Sequence, residues 1–245
     1  MKKLTLWVLM FCCAGLFLQC RDPKQHPLDT EQTNTTESPE NPERSGDNAP
    51  DVQDGGDKPK PAEDIPSDWQ ELTENEGYQV DIRYATKNNF TKQKIYDCGR
   101  CFLRPEAAQK LDNIRQELEE EYGYGIKLFD CFRPRPYQQK LWDIVPDPDY
   151  VTPPQKGSMH SRGLAVDLTL TDQDGRELDM GTPFDFFGKE AHHAYTDLPD
   201  QVLKNRALLK NVMEKYGFRA ITTEWWHYSL NISYPLDNWL WSCEQ

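Results

Sequence analysis

The chain has 245 residues, with 28 Lys and Arg against 41 Asp and Glu, for a formal net charge of −13 at pH 7. A balance this acidic argues against a nucleic-acid-binding protein and against attachment to an anionic membrane by charge, because both need a basic face. The length is enough for one sizeable core and additional segments beside it.

Met1-Lys2-Lys3 and the apolar run Leu4 to Leu18 form a basic n-region and a hydrophobic h-region of signal-peptide length, too short to be preferred as a permanent span. Phe17-Leu18-Gln19-Cys20 resembles a bacterial lipobox, which predicts lipidation of Cys20, although Gln19 stands where that motif has a small residue. Residues 1–20 are therefore read as a lipoprotein-type signal. The expected location is the cell envelope, periplasm or outer surface, with lipid as the sole membrane attachment. Residues 21–66 hold eight prolines, no aromatic residue, and five basic against twelve acidic residues. Such a segment cannot bury enough apolar surface to offset chain entropy and is predicted to be a disordered linker. Residues 67–245 remain for one folded domain.

Within it, Pro105 to Tyr122 predicts an amphipathic helix, with Pro105 in the first turn, Ala107, Leu111, Ile114 and Leu118 on one face, and Gly123 as the stop. Ile126 to Phe132 reads as a strand, and Pro136 to Ile144 and Leu203 to Tyr216 as helices. Leu164 to Leu170 alternates: Leu164, Val166, Leu168 and Leu170 share one face, Ala165, Asp167 and Thr169 the other. Trp225 to Leu230 reads as a further strand. Helices and strands do not alternate regularly, so the class is α+β, with an antiparallel sheet flanked by helices.

Cys98, Cys101, Cys131 and Cys243 fall in this domain, and export favours disulfides, although four cysteines allow three pairings. Cys98-Gly99-Arg100-Cys101 has the spacing of a redox pair or half a zinc knuckle but is not matched by a second such pair, and is read as structural. Met180 and the tryptophans at 225, 226, 239 and 241 are read as core or lid-packing groups.

Five histidines are present, and two lie in strongly patterned surroundings: His160 in Gly157-Ser158-Met159-His160-Ser161-Arg162-Gly163-Leu164-Ala165-Val166-Asp167, and His227 in Glu224-Trp225-Trp226-His227. The two segments supply two imidazoles, one ligand carboxylate and one spare carboxylate, the minimum set for a catalytic zinc with an open fourth position and a general base. Asp167 is a carboxylate in mid-strand among small residues. The turn Ser161-Arg162-Gly163 folds His160 back over the start of that strand. Glu224 precedes His227 by three residues, which on an ideal strand faces it the wrong way; it reaches the same ion only from a bulge or loop at the strand's entry.

Ser-x-His-x-x-Gly-x-Ala-x-Asp from Ser158 to Asp167, followed by Glu-x-x-His from Glu224 to His227, resembles the zinc D-Ala-D-Ala peptidases that share a fold with the Hedgehog signalling domain. Asp81 to Thr91, Phe129-Asp130-Cys131-Phe132-Arg133-Pro134 and Asp179-Met180-Gly181-Thr182-Pro183-Phe184-Asp185 further resemble D-alanyl-D-alanine dipeptidases of the VanX type, over about residues 76 to 232. The resemblance implies one Zn²⁺ per chain held by His160, Asp167 and His227. It implies Glu224 as general base and Arg133 as the group that holds the developing oxyanion. Asp185 would meet the free ammonium of a dipeptide, with Ser158 and Tyr84 offering hydroxyls to its polar ends. Two alternatives stand beside this reading. One is a D,D- or L,D-carboxypeptidase acting on peptidoglycan stem peptides with a more open amino-side site. The other is a Hedgehog-like binding module with a structural metal, against which the spare carboxylate of Glu224 argues.

Overall fold

The computed structural model describes residues 64–148 and 150–244; the expected signal, Cys20 and nearly all of the expected linker lie outside them. Among these described residues, seven strands and three α-helices follow in order: β1 (Gln70–Leu72), β2 (Tyr78–Val80), β3 (Cys101–Leu103), α1 (Pro105–Tyr122), β4 (Gly125–Asp130), α2 (Arg135–Ile144), β5 (Ala165–Thr171), α3 (Asp200–Lys215), β6 (Phe218–Ala220) and β7 (His227–Leu230). The α+β class holds. No helix among the described residues is long and apolar enough to cross a membrane.

The main sheet has the order β2-β4-β5-β7-β6, and β1 pairs with β3 in a two-stranded sheet beside it. The expectation of an antiparallel sheet is corrected at one pair: β2 runs parallel to β4, so the sheet is mixed. The chain leaves β2 and returns to β4 through β3 and α1, and a crossover of that length permits parallel pairing.

α1 occupies the predicted residues. Its buried stripe of Ala107, Ala108, Leu111, Ile114 and Leu118 packs towards β4, and Gly123 ends it at φ 66°. α3 begins at Asp200, earlier than the periodicity indicated, behind Pro199. It buries Val202, Leu209, Val212 and Met213 against β5 and β6. Pairing across the sheet sets Ile126 opposite Leu170 and Leu128 opposite Leu168, an aliphatic face. The opposite face carries Asp167 and His227. Both faces are covered, and every residue of β5 is buried.

After β7 the chain is irregular but not loosely attached. Trp239 and Trp241 pack among Trp69, Phe102, Phe132, Tyr96 and Tyr137. Asp237 takes an ion pair from the buried Arg104 at 3.1 Å, and Cys243 is bonded to Cys98. The second disulfide joins Cys101 to Cys131. The two cysteines of the Cys98-Gly99-Arg100-Cys101 segment thus serve different bridges, as a structural role requires.

Candidate active site

The antiparallel register of β5 and β7 sets Asp167 directly opposite His227, which brings their side chains to one face. His160 arrives from a single 3₁₀ turn, His160–Arg162, just before β5. That turn closes on Gly163 at φ 70°, and a Cβ there would stand 2.2 Å from the Trp69 ring, so backbone angle and space both demand glycine. The turn sends the chain into β5 with His160 folded back over Asp167.

His227 Nδ1 and Asp167 Oδ1 are 2.9 Å apart. His160 Nε2 lies 3.1 Å from His227 Nδ1 and 3.3 Å from Asp167 Oδ1. Donors about 2.0–2.2 Å from a tetrahedral zinc stand roughly 3.3–3.5 Å from one another. The three atoms fit that ion with slight opening, and among the described residues no other group of His, Cys, Asp and Glu offers such a set. Burial alone would raise the Asp167 carboxyl, but His160 and then His227 hold it well below the ordinary range, in the ionised form a ligand needs. His160 Nδ1 donates to the Cys131 carbonyl at 2.7 Å, which fixes the tautomer with its Nε2 lone pair facing the cluster.

Glu224 is half-buried and sits in the turn before β7, not within a strand. The strand predicted from Trp225 begins instead at His227, because Trp225 and Trp226 turn inward to the core. Released from strand alternation, Glu224 lines the same pocket as His227. Burial pushes its carboxyl above the ordinary glutamate value, and the charge of Asp167 adds to this against the opposing effect of His227.

Arg133 follows β4, and its guanidinium is held from below. Nε and Nη2 donate to Asp130 Oδ2 at 3.0 and 2.6 Å, and Nη1 donates to Gln138 Oε1 at 3.2 Å. Guanidinium has five N–H groups, so N–H groups remain for the pocket that Arg133 also lines. Its face stands 5.0 Å from the Tyr84 ring centroid. The Tyr84 hydroxyl donates to Asp185 Oδ1 at 3.3 Å, and the Phe90 N–H approaches Oδ2 at 3.5 Å. Asp185 has φ 61°, a left-handed conformation unusual outside glycine, asparagine and aspartate. Burial, then the charge of Asp167, raises its carboxyl well above the ordinary range. Ser158 Oγ accepts the Ser161 N–H at 3.3 Å, and Ser158 lines the same pocket. All eight expected domain residues, Tyr84, Arg133, Ser158, His160, Asp167, Asp185, Glu224 and His227, therefore border one cavity of about 480 Å³.

The family model described as D-ala-D-ala dipeptidase, of the M15 peptidases, matches residues 68–238. The chain belongs to this family. It is 38% identical over 160 residues to the D-alanyl-D-alanine dipeptidase of Escherichia coli (strain K12), covering 64% of this chain and 82% of that protein. It is 36% identical over 175 residues to the enzyme of the same name from Enterococcus faecium, covering 63% and 86%. The similarly named Enterococcus faecalis (strain ATCC 700802 / V583) protein is 32% identical over 178 residues, covering 63% and 86%.

For a member of this family, the site contains one group that strand periodicity concealed. The register of β4 shifts between Leu128 and Asp130, so Asp130 pairs with Asp167 instead of continuing the aliphatic face of Ile126 and Leu128. Fully buried, Asp130 accepts the Tyr96 hydroxyl on Oδ1 at 2.7 Å and Arg133 on Oδ2, and stands 3.6 Å from His160 Nδ1. Its available signal was a carboxylate beside the apolar pair Leu128-Phe129, three residues before an arginine.

Proposed function

We propose that the protein hydrolyses the dipeptide D-Ala-D-Ala to two D-Ala, using one Zn²⁺ per chain held by His160, Asp167 and His227. The convergence of those three donors with the Glu224 and Asp185 carboxylates in one small pocket carries the reading, together with the family and its relatives. Zinc, when bound, supplies Lewis acidity towards water and the scissile carbonyl.

The chain's own residues do the rest. Glu224 takes a proton from the attacking water and returns it to the leaving amine. Arg133, clamped by Asp130, directs its remaining N–H groups at the carbonyl oxygen as negative charge develops there. Asp185 receives the substrate ammonium; arrival of that cation offsets the desolvation that otherwise favours its protonated form. The Tyr84 and Phe90 donors hold the Asp185 carboxyl in place. An acylated amino terminus brings no charge and leaves the carboxyl uncompensated, which makes Asp185 a length gate.

The domain division follows the sequence: residues 1–20 as signal, 21–66 as tether and 67–245 as catalytic domain, exported and lipid-anchored at Cys20. The two disulfides support an oxidising compartment. The partner is a small dipeptide, and a net charge of −13 disfavours nucleic acid.

Zinc content and turnover of the purified protein on D-Ala-D-Ala and on its N-acetyl derivative test the reading. One zinc per chain and strong preference for the free dipeptide are expected. Equal or better hydrolysis of the acetylated peptide would move the protein to the carboxypeptidase reading.

A further inference from the structure

Resting on the dipeptidase reading, the charges of the pocket leave one end of the substrate unassigned. D-Ala-D-Ala is a zwitterion, and Asp185 addresses only its ammonium. Its carboxylate enters a cavity lined by Asp185 and Glu224 as well as the metal ligand Asp167, and a cation facing it would offset the like charge. Three cationic side chains line that cavity: Arg133, Lys156 and Arg162. Arg133 is ion-paired with Asp130 at 2.6 Å, and its remaining N–H groups are assigned to the carbonyl oxygen. Arg162 donates through Nη1 to the Tyr234 carbonyl, which fixes it towards the C-terminal segment. Lys156 is exposed, and among the described residues its ammonium has no hydrogen-bond or ion-pair partner.

The loop that carries Lys156 is itself held firmly. The N–H groups of Lys156 and Gly157 both donate to the Pro153 carbonyl at 3.0 Å. Gly157 has φ 65°, and a Cβ there would lie 2.1 Å from Leu236, so the C-terminal segment presses directly on the backbone beside Lys156. Ser158 follows and borders the same cavity. A flexible cationic side chain is thus mounted on a fixed backbone at the mouth of a pocket whose other cations are engaged.

We propose that Lys156 is the specificity-determining partner of the substrate's C-terminal carboxylate, binding it at the pocket mouth while Asp185 holds the ammonium. The pair reads both termini of a short zwitterion, a check on length independent of cavity shape. Lys156 touches neither the scissile bond nor the metal donors, so its effect falls on KM.

The test compares D-Ala-D-Ala with its C-terminal amide in the unaltered protein and in Lys156→Gln, Lys156→Arg and Lys156→Glu. The unaltered protein is expected to favour the acid. In Lys156→Gln, kcat/KM for the acid should fall about 10-fold or more, the size of one lost charge-assisted hydrogen bond, through KM. Turnover of the amide and zinc content should stay unchanged, a split that a merely structural role would not produce. Lys156→Arg should keep the acid preference and Lys156→Glu should invert it. An acid-to-amide ratio that survives Lys156→Gln overturns the inference and leaves the dipeptidase reading intact. Failure of the unaltered, zinc-loaded protein to cleave D-Ala-D-Ala overturns both.

Discussion

Replacement of Asp130 by asparagine separates the charge that supports Arg133 from the shape that surrounds it. The aspartate is fully buried, receives Arg133 Nε at 3.0 Å and Nη2 at 2.6 Å on one oxygen, and receives Tyr96 at 2.7 Å on the other. Asparagine keeps an acceptor for Arg133 but turns its amide N–H₂ towards the Tyr96 oxygen, which must then accept instead of donate. Both bonds from the guanidinium persist to a neutral carbonyl, but its buried charge loses its counter-ion. Breaking a buried ion pair costs about 3–5 kcal/mol, and because asparagine keeps the hydrogen bonds, Asp130→Asn should cost roughly 2–3 kcal/mol. Asp130→Ala strands a guanidinium whose side chain is only 11% exposed, and should cost about 3–5 kcal/mol. Urea unfolding at unchanged m-value measures both. Because Arg133 then loses its fixed aim, turnover of Asp130→Asn should drop by roughly 10- to 100-fold, mainly in kcat, with zinc still bound. An Asp130→Asn protein of ordinary stability and kcat would refute the claim that this ion pair positions Arg133.

Glu224→Gln should bind zinc as the unaltered protein does and lose about 10²–10⁴-fold in kcat; turnover within a few-fold of normal removes Glu224 from the proton transfer. His160→Ala and His227→Ala should each lose the metal, as metal analysis of the purified variants will show. Cys98 and Cys243 are 145 residues apart in sequence, and a Cys98→Ser/Cys243→Ser protein should lose roughly 3–5 kcal/mol by chain-entropy reasoning. Calorimetry tests this last expectation, and an unchanged Tm means that the aromatic packing of Trp239 and Trp241 holds the C-terminal segment unaided.

Legibility from sequence followed the range of the interactions involved. α1 came out on the predicted residues because its signals are local: a proline in the first turn, one apolar stripe and a terminal glycine. β5 was equally readable from its alternation. The metal donors were legible because histidine is scarce here, and because their motifs resemble a known zinc family. Glu224 posed a conflict on an ideal strand, and the conflict was informative. The two tryptophans between Glu224 and His227 are needed in the core, so the chain turns there and delays β7 until His227. The parallel β2–β4 pair was not readable, since direction depends on how the crossover packs and not on the pattern of either strand.

Asp130 and the C-terminal segment show what non-local structure adds to a catalytic site. Alternation from Ile126 assigns Asp130 to the aliphatic face, where a carboxylate has no purpose; one register shift against β5 moves it beneath Arg133 and beside His160. Residues after Leu230 carry no periodicity at all, yet they converge on the same region. The Asp237 N–H donates to the Ser161 carbonyl in the His160 turn at 2.9 Å, and Leu236 bears on Gly157 beside Lys156. The Cys101–Cys131 bridge anchors the residue whose carbonyl orients His160. Groups from β3, β4 and the C-terminus therefore fix the orientation of one imidazole. A site that must hold three donors within about 0.5 Å needs such support from several directions, and a segment recruited for that purpose is chosen by where it ends in space, which its own sequence does not display.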